Sequence, residues 1–180
     1  MTINPQPGTV LAVRTDGWAG AWIRFGSAIR GKPNISNHIA VVHHTDDSDT
    51  TWAIEGRPGG VGWVDATGYL GSPWTLTNQG QLMTLDDGLA VAETCEAMIG
   101  TRYDWDAITD DGLADLDLWH PHLGVVHGET VCSALAAYAY DKRSLPRPKG
   151  SERLVQPSDW DIWCITRGWE TRAPGSGGGD

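Results

Sequence analysis

Five short apolar runs, each stopped by turn-forming residues, fill the first half of the chain and restrict it to one kind of sheet. Residues 7–13 read Pro-Gly-Thr-Val-Leu-Ala-Val, a turn leading into a short buried strand. Asn37-His38-Ile39-Ala40-Val41-Val42-His43 is strand-like and ends in a polar turn over residues 46–49. Thr51-Trp52-Ala53-Ile54-Glu55 closes at Arg57-Pro58-Gly59-Gly60. Val61-Gly62-Trp63-Val64 and Trp74-Thr75-Leu76-Thr77 supply two further short partners. Runs this short and this densely punctuated pair most readily as an antiparallel sheet.

Helical patterns flank these runs. Trp18, Trp22, Phe25 and Ile29 share one helical face, and Gly31-Lys32-Pro33-Asn34 ends it. Thr84 caps a second helix, with Asp86 and Asp87 in its first turn complementing the dipole. Leu89, Ala92, Cys95 and Ile99 form its inner face, which makes Cys95 inert core, and Gly100 ends it. Val155-Gln156-Pro157-Ser158-Asp159-Trp160 leads into a last strand, Trp163-Cys164-Ile165-Thr166. The expected class is α+β: one domain over residues 1–170 and a flexible Gly-rich tail over 171–180.

Composition removes several classes of partner. A formal net charge of −10 disfavours a nucleic-acid backbone or an anionic membrane surface. No apolar run is long enough for an integral membrane segment. Nothing resembles a signal peptide, so synthesis in the cytoplasm is expected, with any later release made by other means. Three scattered cysteines do not make a disulfide framework and leave at least one free thiol. Ten Trp against a single Phe place indole rings both in the core and along a groove, with core the expectation for most.

The free thiol of most interest is Cys132. Gly128-Glu129-Thr130 runs into Val131-Cys132-Ser133-Ala134-Leu135-Ala136-Ala137-Tyr138, an Ala-rich helix with Thr130 as its expected N-cap. A thiol in the first turn feels unpaired backbone N–H groups, which favour its thiolate and are able to hold an oxyanion beside it. The competing reading is a small buried Cys on the apolar face of Leu135, Ala136 and Ala139. Residues 101–128 form a long acidic stretch, and loops of that length are functional or mobile.

In order and spacing, several stretches resemble the circularly permuted branch of the NlpC-type papain-like cysteine peptidases and amidases. They are Pro7-Gly8-Thr9-Val10-Leu11-Ala12-Val13, Ser36-Asn37-His38-Ile39-Ala40-Val41-Val42 and Ala53-Ile54-Glu55 followed by Gly60-Val61. Gly100-Thr101-Arg102-Tyr103-Asp104-Trp105, Val131-Cys132-Ser133-Ala134-Leu135 and Gln156-Pro157-Ser158-Asp159 complete the set. In papain-like enzymes the Cys helix precedes the His strand, and the reverse order here is what permutation gives. The chain departs from many relatives in carrying Ala134 where an acidic residue follows Cys-Ser, and in its long acidic insert.

The resemblance implies a permuted papain-like fold, its central antiparallel sheet packed against helices that include the nucleophile helix. It makes Cys132 the nucleophile and His38 the general base. Glu55 would accept from the far imidazole nitrogen, its alternative being a solvent-facing strand residue. Asn37 competes for that role or a substrate contact, although alternation turns it away from His38. The same alternation puts His43 on the wrong face, and His44 on the right one only if the strand continues. Tyr103 and Ser133 fall on the substrate or oxyanion side, and Trp105 is either a groove wall or core. His120, His122 and His127 with Asp117 match no common zinc framework, and Asp104, Asp106, Asp110 and Asp111 match no calcium loop, so no metal or other cofactor is expected.

The implied activity is hydrolysis of an amide bond through an acyl-enzyme, on a peptide or peptidoglycan fragment. A phage lysin, a virion-associated hydrolase or a bacterial effector would fit. An acyltransferase, a lipid or ubiquitin-like thioester hydrolase, and an inactive binding or structural module are the alternatives. Oligomeric state is left open.

Overall fold

The computed structural model describes residues 5–16, 35–57, 59–72, 74–78, 83–103, 129–130, 132–149 and 155–169. Strands β1 (Val10–Val13), β2 (His38–Thr45), β3 (Thr51–Arg57), β4 (Gly60–Asp65) and β5 (Leu76–Thr77) form one sheet, in the order β4-β3-β2-β1-β5. Every neighbouring pair is antiparallel, as the short punctuated runs predict. The described helices are α1 (Thr67–Leu70), α2 (Leu85–Glu96), α3 (Cys132–Lys142) and α4 (Pro157–Thr166). A small parallel pair, β6 (Arg102–Tyr103) with β7 (Glu129–Thr130), brings the chain to the start of α3. The class is therefore mixed α/β. No helix among the described residues is long and apolar enough to cross a membrane.

Both faces of the sheet are covered, which is why β1 and the first half of β2 read as unbroken apolar runs. On one face Val10, Ala12, Ile39, Val41, Ile54 and Val61 pack with residues of α2, α3 and α4. On the other, Leu11, Val13, Ala40, Val42 and Ala53 pack against Ala66, Tyr69 and Leu70 at α1. Gly8 holds φ +79°, and a Cβ there would sit 2.7 Å from the Gly88 Cα, so a glycine lets the entry to β1 cross α2.

Thr84 caps α2 as expected, its Oγ1 accepting from the Asp87 N–H at 3.1 Å. Three expectations need correction. The inner face of α2 is Gly88, Val91, Ala92 and Cys95, whereas Leu89 and Ile99 are exposed. Thr130 belongs to β7, two residues ahead of the first residue of α3, and Cys132 does lie in the first turn.

The expected last strand is helix α4. Pro157 stands in its first turn, and the Asp159 carboxylate accepts from the Gln156 backbone N–H at 2.9 Å in a capping box. Trp160, Trp163 and Cys164, at helical spacing, are buried. The expected helix over Trp18, Trp22, Phe25 and Ile29, the acidic insert with Trp105 and its histidines, and the Gly-rich tail lie outside the described residues.

Candidate active site

The site is assembled at the start of β2, where two elements hold the residues ahead of the first strand position. Ser36 is buried, and Asp161 of α4 accepts from its N–H at 3.0 Å and from its Oγ–H at 2.6 Å. Burial pushes the Asp161 carboxyl up to about 6, against the lowering by its bonds to Ser36 and the Ile35 N–H. Asn37 is tied to the chain leaving β1. Its Oδ1 accepts from the Thr15 N–H and Oγ1 at 2.8 and 3.2 Å, and its Nδ2 donates to the Thr15 carbonyl at 2.8 Å. The Asn37 amide thus fastens the chain at Thr15, and the partner on the imidazole is Glu55.

His38 follows, in register with Val13 and almost wholly buried. Its Nε2 lies 2.8 Å from Glu55 Oε2. The pairing of Ala40 with Glu55 accounts for this contact, since His38 and Ala40 share a sheet face and Glu55 is diagonal to the ring. An ionised carboxylate only accepts, so Nε2 carries a proton toward it. Glu55 is only 1% exposed. The Tyr69 hydroxyl donates to its Oε2 at 3.1 Å, Arg57 pairs with its Oε1, and Arg57 also donates to the Tyr69 oxygen at 2.8 Å. A buried carboxylate needs such company to stay charged.

Cys132, the first residue of α3, is hydrogen-bonded to the His38 side chain and receives the backbone N–H groups of Ile39 and Ser133. Burial alone would raise its thiol. The charge and hydrogen bond of His38, helped by the two amides, outweigh that and hold it below the ordinary thiol value. Cys95 shows what burial does without those partners: its thiol is pushed up to about 12. All three cysteines are free.

Cys132, His38 and Glu55 are therefore brought together in one hydrogen-bonded line. Ser133 is buried beside them, its amide at the sulfur. Tyr103 pairs in register with Thr130, which sets its backbone beside the chain entering α3. Trp105 is outside the described residues.

His43 and His44 stand at the other end of β2, where a register shift between Val42 and His44 brings the two rings to a 3.0 Å Nδ1–Nδ1 contact. Neither belongs to the site. Tyr69, Arg57 and Asp161 were missed by the sequence reading. Arg57 had a signal, because a residue two after Glu55 shares its strand face; Tyr69 and Asp161 had none.

Compared with known proteins, the chain matches no family model and no curated sequence.

Proposed function

We propose that this protein is a thiol hydrolase that cleaves an amide bond through an acyl-enzyme at Cys132, on a circularly permuted papain-like fold. The observation that carries the reading is the single imidazole bonded to Cys132 on one side and to buried Glu55 on the other. The thiolate attacks the amide carbonyl carbon, and backbone N–H groups at the start of α3 are placed to receive the oxyanion. Collapse expels the amine, which takes a proton from the His38 imidazolium. His38 then removes a proton from water, the hydroxide attacks the thioester, and the acid leaves as the proton returns to sulfur. Glu55 balances the imidazolium in both halves.

The order of the motifs supports permutation, because the His strand precedes the Cys helix in the chain while both meet at one site. The substrate class, a peptide of the bacterial cell wall, rests on the resemblance in the motifs. The test is the pH dependence of Cys132 alkylation by iodoacetamide in the wild type and in His38→Ala. The expected result is reaction well below pH 8 in the wild type, and a profile moved toward that of an ordinary thiol in the variant. A folded wild type whose Cys132 ignores iodoacetamide, or reacts independently of His38, overturns the reading. Product analysis on murein then identifies the bond.

A further inference from the structure

A cation with no carboxylate partner among the described residues stands at the His38 end of the sheet. The chain holds 23 Asp and Glu against 13 Lys and Arg, so a described arginine has ample opportunity to find a carboxylate. Arg57 and Arg147 do so, with Glu55 and Asp141, whereas Arg102, Arg143 and Arg167 share with Arg14 the lack of a carboxylate partner among the described residues. Arg14 is exposed, and among the described residues it pairs with no carboxylate. Its guanidinium lies over the Trp74 ring instead, 5.3 Å from the centroid. Trp74 is itself 52% exposed. A guanidinium held over an indole by cation–π attraction still has N–H donors to offer, and its planar fork is suited to a carboxylate.

The register places this pair. Val13 is opposite His38 and Ala12 is opposite Leu76, so Arg14 and Trp74 both emerge at the end of the sheet where Cys132 and His38 meet. β5 is two strands from β2, a separation of about 10 Å. Both side chains rise from fixed backbone. Arg14 sits between Val13, in register with His38, and Thr15, fastened by Asn37. Beside Trp74, the Thr75 Oγ1 donates to the Tyr69 carbonyl at 2.6 Å, and the Trp74 N–H donates to Ser72 Oγ at 3.3 Å.

We propose that Arg14 and Trp74 form a subsite for a carboxylate carried by the peptide substrate, two to three residues along from the bond that Cys132 attacks. The inference rests on Cys132 being the nucleophile. It adds the sign of the substrate's charge and where that charge sits. In a chain of net charge −10, an anionic substrate meets general repulsion, and an exposed arginine at this end of the sheet sets where its carboxylate docks.

The test uses iodoacetyl peptides of one, two and three residues, each ending in a free carboxylate or an amide, reacting with Cys132 in the full chain. The quantity read is the ratio of the carboxylate rate to the amide rate within each variant, which cancels changes in thiol reactivity. The expected ratio in the wild type rises with spacer length to about three- to tenfold and collapses toward one in 1 M salt. Arg14→Gln and Trp74→Ala should each remove the rise, and Arg14→Lys should keep part of it. A ratio that never exceeds one in the wild type, or that survives Arg14→Gln, overturns the subsite. The rate with plain iodoacetamide, compared with His38→Ala, reads the dyad separately. If that rate shows no thiolate, the hydrolase reading falls and the subsite with it.

Discussion

Glu55 decides what the imidazole can do. In the proposed reaction His38 takes the thiol proton and becomes a cation in buried surroundings, and the Glu55 carboxylate 2.8 Å from Nε2 is its countercharge. Glu55→Gln keeps the volume and an acceptor oxygen but removes the charge. A hydrogen bond to a charged group is worth about 1.5–3 kcal/mol, so alkylation of Cys132 at neutral pH should fall about 10- to 100-fold. The measurement is the alkylation rate against pH, and an unchanged profile would remove Glu55 from the site. Cys132, His38 and Glu55 were all legible in the sequence, because each sits in a short motif whose flanks fix its element and face. The hold of Asn37 on Thr15 was not legible. A polar residue next to the histidine invites a catalytic role, yet alternation turns its amide to Thr15. Tyr69 was not legible, because its hydroxyl reaches Glu55 from a four-residue helix with no patterned face.

Helix α4 shows how an element can be misread and still matter to the site. Trp163-Cys164-Ile165-Thr166 has the aromatic and β-branched character of a strand, and Gln156 is an unusual residue to open a capping box. The helical spacing of Trp160, Trp163 and Cys164 was the signal that should have outweighed propensity. The same helix delivers Asp161 to Ser36, two residues ahead of His38. Its folded value of about 6 stands above the ordinary 3.8, so between those values the folded chain holds a proton that the unfolded chain has lost. Stability from this group is therefore fully present at lower pH and is lost as pH rises through about 6. A shift of this size amounts to about 2–3 kcal/mol. Asp161→Asn should flatten that part of the stability profile between pH 4 and pH 7, as read by thermal or urea unfolding. An identical slope in the two proteins would show that the carboxyl ionises freely in the folded state.

At the scale of the whole molecule, α3, which opens with Cys132, must be locked to a sheet whose His38 end is built from distant parts of the chain. Hydrophobic contact alone leaves α3 able to slide; a buried polar brace fixes its register. Tyr140, fully buried two turns beyond Cys132, donates its hydroxyl to the Gly8 carbonyl at 2.8 Å and accepts from Asn78 Nδ2. Asn78 Oδ1 in turn accepts from the Val10 N–H at 2.7 Å. One phenol thus joins α3 to the entry of β1 and the exit of β5, and its ring packs edge-on to Trp160 of α4 at 5.5 Å. Burial with only those partners pushes the hydroxyl above the range in which it would ionise, so it remains a donor at every working pH. Tyr140→Phe keeps the ring and deletes the brace, taking a partner from the Gly8 carbonyl and from the Asn78 amide in a dry setting. The cost is about 1–3 kcal/mol, which for a chain of this length lowers the melting temperature by about 2–10 °C. The pH profile of Cys132 alkylation below the transition should stay that of the wild type, since His38 and the Ile39 and Ser133 amides are untouched. A profile that moves with the melting temperature would mean that the brace, and not the local line of Cys132, His38 and Glu55, sets the state of the thiol.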